Sequence, residues 1–180
     1  MSPLKPRTAA ALALALLVGL SNLAWSAPVP APLEFSLRSA DGGQITSEML
    51  RGDVVVLAFG ATWLPSLTRR QVEGVQKLSE QYAERNVRVY WVSTESERPN
   101  SRNYASDEQL RDFARKNGLK VAVLRDPDGA LLKKIGIDQM PAVVILDRQG
   151  NVSGSPLGGL DPAGNLAEQL APRLNRLLGQ

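Results

Sequence analysis

Three observations predict a three-layer α/β/α sandwich on a mixed central sheet. Strand-like apolar runs alternate with helix-like periodic segments, residues 54–59 are apolar without interruption, and a hairpin signal followed by a helix closes the chain. The composition agrees: 180 residues, 43% hydrophobic and 22% charged, describe one ordinary domain and not a disordered or fibrous polymer.

The elements follow in order. Leu33, Phe35 and Leu37 alternate with Glu34 and Ser36, as in a half-exposed strand. Asp41-Gly42-Gly43 supplies a turn, and Thr46 or Ser47 opens a short helical turn over Glu48, Met49 and Leu50. The branched run 54–59 fits a central strand covered on both faces. Pro65 suits the first position of a helix reaching to about Glu84, with Val72, Val75, Leu78 and Tyr82 inside. Arg69, Glu73 and Lys77 are spaced to pair on its wet face. Val87, Val89 and Trp91 mark a second strand, with Trp91 in the core, and the polar stretch 94–105 is a loop. Ser106 and Gln109 form a capping box for a helix holding Leu110, Phe113 and Ala114, closed by Asn117-Gly118. A short strand over 121–124, a turn over 126–129, a helical segment Ala130–Ile135 and a third apolar strand Ala142–Leu146 come next. Asp147-Arg148-Gln149-Gly150 makes a hairpin turn with Val152 on the return, and Leu166, Leu170, Leu174 and Leu177 stripe a last helix that Pro172 should kink or divide.

Cys and His are both absent. Their absence removes disulfides, thiolate nucleophiles, Cys/His zinc sites, Cys-held clusters and imidazole catalysis, leaving hydroxyl, carboxylate, amine and backbone groups. The net charge of +3 falls to +1 when Lys5 and Arg7 are set aside, so no nucleic-acid partner is expected. No metal and no cofactor is expected either.

Residues 1–26 read as a secretory signal. Lys5 and Arg7 precede an apolar run over 9–20, and Ala24 and Ser26 are small residues in the places before a cleavage point. The competing reading is an uncleaved anchor, the only route to a membrane contact; the run is shorter than the ~20 residues that span a bilayer. A lipoprotein is excluded because there is no Cys to acylate. Residues 27–32 form a stiff Pro-rich spacer, and the folded domain covers 33–180. The expected address is the periplasm, where a Cys-free chain must rely on core burial for its stability.

Phe59-Gly60-Ala61-Thr62-Trp63-Leu64-Pro65-Ser66-Leu67 resembles the active-site segment of thioredoxin-like proteins, in which a buried strand ends in Phe-x-Ala-Thr-Trp-Cys-x-x-Cys. Phe59, Ala61, Thr62 and Trp63 match that pattern, Pro65 and Ser66 fill the two inner places, and Leu64 and Leu67 stand where both cysteines belong. Gly136-Ile137-Asp138-Gln139-Met140-Pro141 is similar to the segment whose proline is cis and faces the active-site helix. With the inserted helix and strand and the leader, the resemblance is to the TlpA/ResA-type redoxins of the envelope. It implies a thioredoxin-like fold whose redox pair is gone, since disulfide exchange and peroxide reduction both need a thiolate. The family's usual helical proline is also missing, with Val72 in its place.

What replaced the cysteines is apolar. The resemblance implies a peptide-binding groove presenting Trp63, Leu64, Pro65, Ser66 and Leu67 beside Met140 and Pro141, with an extended peptide or envelope protein as partner. The expected function is a redox-inactive binding or chaperone-like module of envelope thiol-redox or cytochrome maturation pathways. Against it stands the reading that Leu67 points inward, Leu64 caps the core and Trp63 is a packing residue. An alternative function is support of redox homeostasis through a cysteine-bearing partner. Ser66 lacks a His or an evident Lys to activate it and is expected to satisfy backbone N–H groups of the first helical turn. Glu95, Glu97 and Asp126 are expected to be solvated loop charges, with non-thiol acid–base or metal chemistry as the alternative.

Overall fold

A computed structural model describes residues 31–159 and 164–179. The expected signal at 1–26, spacer residues 27–30 and the side chain of Pro65 lie outside the described residues. The element order is β1 (Ser36–Ser39), β2 (Gln44–Thr46), a 3-10 turn (Glu48–Leu50), β3 (Val54–Gly60), α1 (Pro65–Gln81), β4 (Val87–Ser93) and α2 (Asp107–Lys116). It continues with β5 (Val123–Arg125), a second 3-10 turn (Pro127–Gly129), α3 (Ala130–Ile135), β6 (Ala142–Leu146), β7 (Leu157–Gly158) and α4 (Leu166–Leu177).

One mixed sheet runs in the order β2-β1-β5-β4-β3-β6-β7, with β3, β4 and β5 mutually parallel and the outer pairings antiparallel. Every residue of β3 is buried, which is what an uninterrupted apolar run needs. Because side chains alternate along a strand, Val54, Val56 and Ala58 enter one core cluster and Val55, Leu57 and Phe59 the other. Val72, Val75 and Leu78 of α1 and Leu170 and Leu174 of α4 close the first cluster, while Leu131 and Leu132 of α3 close the second. Each such buried aliphatic or aromatic side chain contributes about 1.5–3 kcal/mol over leaving it in water. Trp91 is fully buried, and its ring lies 5.2 Å from that of Phe113. The expected three-layer sandwich is the observed one.

The capping box of α2 is complete, and Gly118 at φ +67° takes the left-handed position that ends the helix. The hairpin after β6 also forms, with Val152 bridged to Leu146. At this pole the Leu33 amide donates to the Gly150 carbonyl at 2.8 Å, so the chain enters the domain beside the hairpin.

Four expectations need correction. α1 ends at Gln81 instead of near Glu84, because Tyr82 is buried and the chain turns through Asn86 at φ +54° into β4. β5 begins at Val123, so residues 121 and 122 remain a connector. α4 runs through Pro172 undivided: Leu166, Leu170 and Leu174 are buried along one stripe, and that burial outweighs one lost backbone bond. Arg69, Glu73 and Lys77 form no ion pairs among the described residues, as exposed long side chains gain little from pairing.

A polar knot joins β1, β5 and α2. Arg38 grips Asp107 with both terminal nitrogens, at 2.6 and 3.0 Å, and reaches Glu97 at 2.6 Å. Arg125, only 2% exposed, donates to Asp107 at 2.7 Å and to the Ala105 carbonyl at 2.6 Å. The Arg38 guanidinium is the main reason the Asp107 carboxyl falls from 3.8 to about 2, with Arg125 adding to it. A lowered carboxyl stabilises the fold above its unfolded value and loses that contribution as pH falls through the folded one. Asp126 has the opposite sign: burial raises its carboxyl although the Leu131 and Leu132 amides donate to it, so its contribution fades as pH rises. Asp107→Asn is therefore expected to be less stable than the parent by about 1 kcal/mol at pH 7, after allowance for solvent screening, with the deficit shrinking between pH 4 and pH 2. Urea unfolding across that range checks it, and a deficit independent of pH would contradict it.

Candidate functional site

The site forms where β3 hands the chain to α1. The turn Ala61-Thr62-Trp63-Leu64 leads into Pro65 at the first helical position, where a missing N–H costs nothing. Thr68 braces the turn from inside, its hydroxyl donating to the Ala61 carbonyl at 2.7 Å and its amide to the Leu64 carbonyl at 2.9 Å.

Beneath the turn lies Glu95, 1% exposed. Its carboxylate accepts the Thr62 amide at 2.8 Å, the Thr62 hydroxyl, and the Ser93 hydroxyl at 2.6 Å. The three donors satisfy both oxygens of this buried carboxyl group, and they pin Thr62 from below. The next residue, Trp63, is consequently thrown outward and is 58% exposed. It lines a cleft of about 480 Å³ with Arg102 and Asn103. Leu64 and Leu67 are half-buried and belong to neither core cluster, and Ser66 is exposed.

The opposite wall is the start of β6. The pairing of Phe59 with Ala142 sets Pro141 beside the end of β3, and the Met140-Pro141 peptide is cis. Pro141 is buried and Met140 half-buried; the Thr94 hydroxyl stands 3.6 Å from the Met140 sulfur and 3.4 Å from the Gly60 carbonyl. Gln71 of α1, 1% exposed, locks the two walls together. Its Nε2 donates to the carbonyls of Phe59 at 2.9 Å and Ala142 at 3.2 Å, and its Oε1 accepts the Trp91 indole N–H at 3.0 Å.

The sequence profile of the AhpC/TSA family matches residues 28–155, most of the chain. The chain belongs to the AhpC/TSA family. Among relatives of this AhpC/TSA member is the thioredoxin-like protein YneN of Bacillus subtilis, 27% identical over 125 residues, which cover 69% of this chain and 68% of YneN. The fold of this chain is shared by a putative thiol:disulfide interchange protein DsbE from Chlorobium tepidum, at 24% identity and TM-score 0.68 over 83% of this chain and 96% of that one. MTB DsbF is similar at 26% identity and TM-score 0.63, with 83% and 98% of the two chains covered. The thioredoxin-like resemblance is thus borne out, and this AhpC/TSA member has no cysteine anywhere in its sequence.

Of the other candidate groups, Ser66 does not act as expected. Leu64 is the N-cap, so Ser66 sits too far into the helix to cap it, and its hydroxyl makes no hydrogen bond among the described residues. Glu95 and Asp126 are not solvated charges; each is 1% exposed and saturated by donors, Asp126 by the amides opening α3. Glu97 is held by Arg38 and lies 3.3 Å from Arg125, so the three carboxylates do not converge on one reacting position. Trp63 is not a packing residue. The structure adds Gln71, Thr94 and Arg102 to the site of this AhpC/TSA member, none of which the motifs single out. Gln71 has a legible signal: Thr68, Gln71, Val75, Leu78 and Tyr82 recur at helical spacing, and all are buried.

Proposed function

We propose that this AhpC/TSA family member is silent in thiol chemistry and works by binding an extended segment of an envelope protein across the former redox surface. The observation that carries the reading is the exposed Trp63 with half-buried Leu64 and Leu67, an apolar cluster outside both core clusters at the turn where the resemblance places a cysteine pair. Exposed Ser66 and half-buried Met140 are the further members of the proposed surface, with Pro141 buried beside them. The part of this cluster left exposed, above all the Trp63 ring, gives the fold no burial, whereas a partner that covers it removes the apolar area from water. The periplasmic address draws support from similar structures described as a pneumococcal exposed lipoprotein thioredoxin, at 21% identity and TM-score 0.60, and a secreted Mycobacterium tuberculosis disulfide oxidoreductase, at 19% and 0.59.

Capture of envelope proteins by the chain from Ala27 onward tests the proposal. Specific capture is expected, and it should be lost in a Leu64→Asp, Leu67→Asp variant whose unfolding midpoint is unchanged. Equal capture by both proteins would move the function to another face. A second reading, service to a cysteine-bearing redox partner, draws support from the thiol:disulfide interchange description of the Chlorobium tepidum structure. The same experiment separates the two, because in that case the captured protein carries a redox-active cysteine pair.

A further inference from the structure

We infer that the segment bound at this surface carries a carboxylate close to an apolar side chain, the apolar group lying against Trp63 and the carboxylate meeting Arg102. The inference rests on the peptide-binding reading above and adds the chemistry of the occupant. The cleft of about 480 Å³ lined by Trp63, Arg102 and Asn103 falls within the usual range of ligand pockets, and its wall is mainly apolar with a basic residue in the lining.

The charge of that cleft is uncompensated from within. Arg98, in the same loop, is held by Asp128 at 2.8 Å, and Arg38 and Arg125 are occupied by Asp107 and Glu97. Arg102 is exposed and has no ion-pair partner among the described residues. Glu95, the acid under the adjoining turn, is saturated by Thr62 and Ser93 and shut away from solvent. The loop bearing the arginine is braced: the Ser96 amide donates to the Asn103 carbonyl at 3.0 Å, the Ala105 amide to the Ser96 carbonyl at 3.2 Å, and the Tyr104 amide to the Ser101 carbonyl at 3.1 Å. The backbone that carries Arg102 is therefore fixed beside the cleft that Trp63 lines, and an acidic group is the electrostatic complement of its unpaired charge.

Calorimetric titration of the full chain with three blocked octapeptides, identical except for a central Leu-Asp, Leu-Asn or Leu-Lys pair, tests this. The Leu-Asp peptide is expected to bind about fivefold more tightly than the Leu-Asn peptide, the effect of one partly exposed ion pair. The preference should shrink in high salt, vanish in Arg102→Gln and turn toward the Leu-Lys peptide in Arg102→Glu. Equal binding of all three peptides that is lost in Leu64→Asp, Leu67→Asp would overturn the acidic preference and leave the binding surface standing. A Leu-Lys preference in the parent would also overturn it. Absence of binding to any peptide would overturn both.

Discussion

Installing Leu64→Cys and Leu67→Cys together is expected to give the chain disulfide-reductase activity, with catalysed insulin reduction by dithiothreitol at least tenfold above the buffer rate. The parent should give the buffer rate alone, because it has no sulfur to form or accept a thiolate. The rest of the required setting is present. Position 64 is the N-cap of the 17-residue α1, where free amides and the helix dipole favour a negative sulfur and bring a thiol into the range of roughly 3.5–7.5. Position 67 follows three residues later on the same helical face, a spacing whose side chains are neighbours. Both leucines are half-buried outside the core clusters, so shortening them leaves no large internal void. Parent turnover above buffer would sink the claim of thiol silence. A folded double variant that stays inactive would show that the turn has lost its redox geometry along with its cysteines.

Gly60→Ala should be among the most damaging single changes in the domain, lowering stability by about 3 kcal/mol and the melting temperature by roughly 10 °C. A β-carbon at this position would lie 2.6 Å from the Gln71 Oε1 and 2.7 Å from the Trp91 Cζ2. Neither neighbour is free to yield. Gln71 is tied to the ends of β3 and β6, and Trp91 is fully buried and donates to that same Gln71 oxygen. Trp91→Phe removes both the nearby ring edge and the bond that fixes the glutamine oxygen. The double variant is therefore expected to be at least about 1 kcal/mol more stable than the sum of the single effects implies, the mark of contacting residues. Thermal unfolding of the four proteins checks this, and strict additivity would refute the clamp.

Around these positions some constraints are local to the chain and others are made only by folding. The turn at 61–64, the strand ahead of it and the helix after it follow from a branched apolar run, a proline and a periodic stripe, all local signals legible in the sequence. The cis proline and the loss of the redox pair follow from a resemblance spread over two segments. Gly60 gives no local hint, because its constraint comes from Gln71 and Trp91 on two other elements. Glu95 and Asp126 depart from the solvated-loop expectation for a related reason. Whether a loop carboxylate is solvated depends on which amides and hydroxyls the fold brings to it, and for Glu95 one of the residues supplying them, Thr62, stands more than thirty places away in the chain. The exposure of Trp63 likewise is a property of the folded turn, whose preceding residue Thr62 is bonded to Glu95, and is not legible from the tryptophan itself.

The bond between Leu33 and Gly150 fixes a direction as well as a contact. It lies at the entry end of β3, while Trp63 follows the exit end, seven strand residues or about 20 Å away. Whatever is joined ahead of residue 31 is attached at the rear of the molecule, with the cleft at the front. A leash on that side would hold the domain by its back, leaving the indole and the guanidinium facing incoming chains.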